Sequence, residues 1–190
     1  MSTGADHSLA AAALYAAARF RRNSLPQEEL RELIDAMMYQ DIWYDEFLLI
    51  LDPQLRWPDG VSPAIEKALQ HFGLPMPDVD EANRILIERL LRPIAEGRLD
   101  PIEGLNEFMC RFFWEYELPA TDKVLGETIG VSQLVGLHYQ LDDWRCSKPD
   151  FMSDPADESQ LSTLKAEIVR NAQARLDQDS QLTAAARTRS

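Results

Sequence analysis

Basic residues are scarce in this sequence. Only 19 Lys and Arg stand against 32 Asp and Glu in 190 residues, a formal net charge of −13. Binding to a phosphate backbone needs a basic footprint, so the balance excludes nucleic acid, and an anionic membrane surface, as expected partners. Cysteine is scarcer still. Cys110 and Cys146 have no close spacing, which fits neither a zinc site nor a disulfide framework. Cys110 falls beside an aromatic stripe and reads as a buried free thiol. Long apolar runs are missing, since a membrane-spanning helix needs about 20 consecutive apolar residues. A secretory leader is not expected either, because the basic cluster Arg19, Arg21 and Arg22 follows the Ala-rich run and Asp6 occupies the place of the basic region. These absences together point to a reducing, cytoplasmic setting.

Catalytic signatures are equally thin. There is no G-x-S-x-G and no strand to carry one. Gly126, Gly130 and Gly136 are too dispersed to cradle a phosphate, and no Gly-Lys-Ser/Thr follows them. The Glu-x-x-His pair of di-iron bundles does not occur. No alternation of apolar and polar residues lasts five positions, no Asn-Gly hairpin is present, and no repeat at fixed period emerges.

What is present is helical periodicity. Asp78 and Glu81 have capping-box spacing, and Ile85, Leu86, Leu90, Leu91 and Ile94 follow as one apolar face. Gly97 is a left-handed stop, after which Asp100, Pro101 and Glu103 restart the chain as cap, first-turn proline and first-turn acid. Leu105, Phe108, Met109, Phe112 and Tyr116 continue that second helix, and the short corner makes the two stripes natural partners. Upstream, an Ala-rich helix spans residues 9–22. Ser24 and Gln27 form a second capping box ahead of Leu30, Leu33, Ile34, Met37 and Met38. Asp41 opens a short helix through Leu51, residues 52–61 are a loop, and Ser62-Pro63 starts a helix stopped by Gly73. Downstream, residues 119–131 read as loop, Val131–Trp144 as helix, and Asp154-Pro155 as the start of a last helix to about Asp177.

The expected architecture is a single compact all-α domain of six to eight helices. Residues 1–8 are a disordered start, 9–150 the helical domain, 151–178 a C-terminal helix and 179–190 a flexible tail. The acidity belongs to the body. Residues 1–60 hold 10 acids and 5 bases, residues 61–150 hold 16 and 9, and residues 151–190 hold 6 and 5.

Two places could carry chemistry or recognition. His138 and Asp142 are four apart and share a helical face, but two ligands are too few for a tight metal site. The plainer reading is a half-buried His on a helix with an acidic end. The richer stretch is residues 39–59, where Tyr39, Trp43, Tyr44 and Trp57 are interleaved with Asp41, Asp45, Glu46, Asp52 and Asp59. Aromatic anchors among carboxylates suit an interface for a basic partner. The plainer reading makes Trp43, Phe47 and Ile50 the buried stripe of a short helix whose acids face water.

Residues 126–144 (GETIGVSQLVGLHYQLDDW) and 97–105 (GRLDPIEGL) resemble small acidic helical proteins of bacteria regarded as immunity proteins for secreted toxins. The likeness covers a minor part of the chain and rests on Gly97, Asp100, Pro101 and Gly104, then Leu134, Gly136, Leu137, Tyr139, Asp142 and Asp143. In that company these residues are structural, and no catalytic residue is carried over. The resemblance implies a stoichiometric inhibitor of a toxin, without enzymatic activity of its own. The expectation is therefore a non-enzymatic protein that binds a basic toxin domain through Asp41, Tyr44, Asp45, Glu46, Trp57 and Asp59, with no cofactor and no metal. One alternative is a helical enzyme or cofactor protein with a site near His138 and Asp142. Another is a structural or adaptor protein that dimerises through its first or last helix.

Overall fold

The computed structural model describes residues 4–52, 60–114, 124–146 and 155–187, and side chains within 7–52, 60–114, 124–146 and 158–179. The architecture is all-helical, as the periodicity predicts. Among the described residues there are eight α-helices, one π-helical turn and no strand. The chain gathers into two compact units, residues 1–86 and 87–190, and the boundary falls inside the fifth helix.

The first unit contains α1 (Gly4–Arg21), α2 (Gln27–Met38), α3 (Asp45–Leu51), α4 (Val61–His71) and the start of α5 (Val79–Ala95). Helix α1 packs on α2 and α4, and α3 packs on the same two. The core is shared among Ala13, Ala16 and Ala17 of α1, Leu30, Leu33, Ile34 and Met37 of α2, Phe47 and Ile50 of α3, and Val61, Ala64, Ile65, Ala68 and Leu69 of α4. Small side chains on α1 and α4 let backbones approach closely, so the Ala-rich face is spent on the unit's own core.

Several boundaries differ from the expected ones, each for a local reason. Helix α1 begins at Gly4, so residues 4–8 are helix and not a disordered start. Ser24 does not cap α2. Its backbone N–H and its Oγ both donate to the Arg19 carbonyl, at 2.9 and 3.3 Å, and Asn23 takes the left-handed position (φ 53°) that ends α1. Asp41 does not open α3. It sits at φ 60° just beyond the end of α2, with the Ile42 N–H donating back to the Met37 carbonyl at 3.1 Å. A short polar side chain tolerates this conformation better than a branched one.

The second unit holds the remainder of α5, then α6 (Pro101–Phe108) running into the π-helical turn Met109–Phe113, α7 (Ser132–Cys146) and α8 (Pro155–Arg187). The expected corner is present. Gly97 has φ 67°, and Asp100 Oδ1 accepts from the N–H groups of Ile102 (2.9 Å) and Glu103 (3.3 Å). The partnership of α6 differs from expectation, because it packs chiefly on α8 and α7. It meets α5 at the corner, where Ile94 closes over Gly104. Buried residues include Leu105, Phe108, Met109, Phe112 and Phe113 from the α6–π segment, Leu134, Val135, Leu137 and Leu141 from α7, and Ile168 and Ala172 from α8. Tyr116, expected on the α6 stripe, lies outside the described residues. Cys110 is exposed, contrary to expectation, because it falls between the inward pairs Phe108–Met109 and Phe112–Phe113.

Helix α8 is longer than expected and takes in residues 180–187 of the supposed tail. Two polar clamps fasten it. Lys165 Nζ meets Asp100 Oδ2 at 2.6 Å, so one carboxylate both caps α6 and holds α8. Arg175 Nε donates to the Ile129 carbonyl at 2.9 Å, while its guanidinium pairs with Asp179 at 2.6 Å. These two side chains are each only 11% exposed, so the pair is little screened and is further satisfied by the loop carbonyl.

Two tests follow from this packing. A Cβ at Gly104 would run into the Ile94 side chain, so Gly104→Ala is expected to destabilise by about 1–3 kcal/mol in urea unfolding. Gly136→Ala meets nothing within 4 Å on an exposed part of α7 and is expected to stabilise by roughly 0.5–1 kcal/mol. The Lys165 hydrogen bond, then the two capping N–H groups, hold the Asp100 carboxyl below its ordinary value of 3.8. A depressed carboxyl contributes stability above the unfolded value and loses it as pH falls through the lower folded one. Asp100→Asn keeps capping ability but loses the ion pair. The pair is partly exposed, so the deficit expected at pH 7 is about 0.2–1 kcal/mol. That deficit should vanish in acid as the wild-type carboxyl protonates.

Candidate functional site

The α2–α3 corner is built by alternating inward and outward residues. The left-handed Asp41 turns the chain so that Ile42 is buried while Trp43 is 58% exposed. Tyr39, at the end of α2, is 91% exposed. Tyr44 then takes an extended conformation (φ −140°) and leads into α3. On α3, Phe47 and Ile50 point inward. At 100° per residue, Leu48 and Leu49 fall on the opposite side, around Asp45. Both leucines are exposed accordingly. A seven-residue helix with five apolar side chains cannot bury them all against one neighbouring layer.

The expected partner-binding residues divide into two groups. Asp41 and Asp45 are exposed, and no cation among the described residues lies within ion-pair reach of either, or of Asp35 nearby. Tyr44 and Glu46 are engaged inside the unit. The Tyr44 hydroxyl is 3.2 Å from His71 Nδ1, and its ring stands edge-on to Phe47 at 5.3 Å with Lys67 Nζ 5.9 Å from its centroid. Glu46 pairs with the same Lys67 at 3.7 Å. Tyr44 and Glu46 therefore tie α3 to α4. Arg31 Nε donates to the Ile50 carbonyl at 3.1 Å, where a cation suits the C-terminal end of α3. Trp57 and Asp59 lie outside the described residues.

The sequence reading missed Leu48 and Leu49, and it weighed Trp43 as part of a buried stripe. The signal was available in the helix phase, because beginning the helix at Asp45 leaves Trp43 outside it and sets both leucines opposite Phe47.

The other expected place is less constructed. His138 is half-buried, and its Nδ1 is sealed from solvent without a hydrogen-bond partner. Its ring stands edge-on to Trp114 (6.1 Å) and Tyr139 (5.9 Å). Asp142 is exposed. No group of three His, Cys, Asp or Glu able to hold a metal ion occurs among the described residues. No described helix is long and apolar enough to cross a membrane.

Comparison with protein-family profiles, with characterised proteins and with solved structures found no significant match.

Burial separates stabilising residues from surface ones at this corner. Phe47→Ala is expected to cost about 3–5 kcal/mol in equilibrium unfolding, because it opens a cavity between α2 and α4. Trp43→Ala and Leu48→Ser, both exposed, are expected to stay within roughly ±0.5 kcal/mol of the parent.

Proposed function

We propose that the protein is a non-enzymatic binding protein of the toxin-immunity type, which neutralises a basic toxin domain by forming a one-to-one complex. The α2–α3 corner is the docking face. The observation that carries this reading is the conjunction of exposed Trp43, Leu48 and Leu49 with the exposed carboxylates of Asp41 and Asp45, which meet no cation among the described residues, on a short, internally braced segment. Large apolar side chains held by a rigid element lose little freedom on binding and act as anchors. Exposed carboxylates around them steer a basic partner and reject acidic ones. The first unit has 14 acids and seven bases, which favours the same sign of partner. Acidity and the resemblance to immunity proteins add support for the toxin class.

The face is also apolar enough to take a second copy of this chain. Self-association would bury the leucines but would bring Asp41 and Asp45 of both copies together, which costs energy. A basic partner is favoured on that ground.

The test is a binding titration of the full chain with the product of the neighbouring gene, at low and high salt. A tight one-to-one complex is expected, with association slowing as salt rises. Trp43→Ala should weaken it by about 30-fold, the effect of losing a hot-spot anchor worth roughly 2 kcal/mol. Asp41→Lys with Asp45→Lys should act mainly on the association rate. Absence of a complex at micromolar concentrations, with the chain folded, overturns the reading.

A further inference from the structure

The second unit carries a separate set of exposed aromatic residues that the docking face does not use. The π-helical turn delivers Trp114 against α7, where the indole contacts three rings. Phe113 lies beneath it at 5.3 Å, His138 at 6.1 Å and Tyr139 at 6.4 Å, all at steep interplanar angles. Despite these contacts Trp114 is 53% exposed and Tyr139 43% exposed, and their planes stand at 78° to one another. A hydrophobic core would cover both rings, and a disordered surface would not hold them at fixed angles.

We propose that Trp114 and Tyr139 form an aromatic corner that receives an organic cation, the ammonium or guanidinium head of a lysine or arginine side chain on a protein partner. The faces of indole and phenol rings are electron-rich and attract cations in place of water. Such pairing already occurs once inside the first unit, where Lys67 lies over the Tyr44 ring. Here no cation of the described residues lies over Trp114 or Tyr139. Arg111 on the π-turn is held by Glu107 at 3.0 Å.

Charge complementarity selects the ligand. Asp142 and Asp143 are three and four residues beyond Tyr139, one turn along the same helix and therefore its surface neighbours. Both are exposed, and no cation among the described residues is within ion-pair reach of either. A neutral apolar ligand would gain nothing from these carboxylates, and an anionic one would be repelled. Asp142, which the sequence offered with His138 as half of a metal site, is thus better placed beside an aromatic receptor for a diffuse cation. His138 serves as the wall that fixes both rings.

The inference stands apart from the α2–α3 docking face, and its test is independent of any toxin. The full chain is titrated at pH 8 with Nα-acetyl-lysine amide, with arginine amide and with tetramethylammonium. Two-dimensional NMR follows the Trp114 indole N–H and the Tyr139 ring protons. Acetyl-norleucine amide, of similar shape without the charge, is the control. Saturable shifts confined to Trp114, His138, Tyr139 and the Asp142–Asp143 turn are expected with the cations. The neutral control should bind about two- to fivefold more weakly, as an exposed cation–π contact predicts. Trp114→Ala should abolish the response, Tyr139→Leu should weaken it, and Asp142→Asn with Asp143→Asn should weaken it with reduced salt sensitivity. Trp43→Ala should leave it unchanged. Equal binding of the neutral control makes the site a general apolar patch and overturns the proposal. So does a cation response that survives in folded Trp114→Ala, or in folded Tyr139→Leu if the indole variant is unstable.

Discussion

The Asp100 carboxylate is the constraint on which much of the second unit depends. One oxygen accepts from the first free N–H groups of α6, and the other meets Lys165 of α8. A cap on its own sets where a helix begins, and an ion pair on its own is weak at a surface. Sharing one carboxylate couples the two, so the start of α6 is fixed relative to the long last helix. Gly104, with Ile94 pressed against it, then sets how closely α6 can approach the end of α5. Everything downstream on that segment inherits the setting, including the inward pairs Phe108–Met109 and Phe112–Phe113 and the outward Trp114.

The first unit solves a different packing problem. Its first helix supplies mainly alanine to the core, so larger side chains from α2, α3 and α4 fill the space against a narrow partner. Helix α3 has only seven residues and cannot form alone in water, so its stability comes from packing and from its ties to neighbours. Arg31 holds its C-terminal end, and Tyr44, Glu46, Lys67 and His71 link it to α4. These ties involve Tyr44 and Glu46, two of the residues expected to take part in recognition. They also hold rigid the side of α3 that faces water.

Both surfaces of interest are internally braced, and their exposed carboxylates meet no cation among the described residues. Around Trp43 the leftover charge is that of Asp41 and Asp45, and around Trp114 it is that of Asp142 and Asp143. Two of the bases on these segments are committed within them, Lys67 to Glu46 and Arg111 to Glu107. A net charge of −13 is thereby not spread evenly in its consequences. Where acids are paired or capping they stabilise helices, and where they stand beside exposed aromatics they favour a cationic partner.

The sequence by itself determined the helical class, the caps at Asp78 and Asp100, the stops at Gly73 and Gly97, the inward face of α2, and Phe47 and Ile50 as inward residues of α3. Those features rest on contacts within a turn or two, and local spacing encodes them. It also marked residues 39–59 as rich in recognition chemistry. Tertiary structure alone decided which of those residues are free. Tyr44 and Glu46 are occupied because His71 and Lys67, more than twenty residues away, reach them across α4, and no local pattern reports such a meeting. Cys110 was misread for the same kind of reason, since its burial depended on which side of the π-turn faces α7 and α8. The same holds for the Trp114–Tyr139 corner, whose two rings come from segments joined only through the packing of the second unit. Residue type says what a side chain can do, and long-range packing decides whether it is left free to do it.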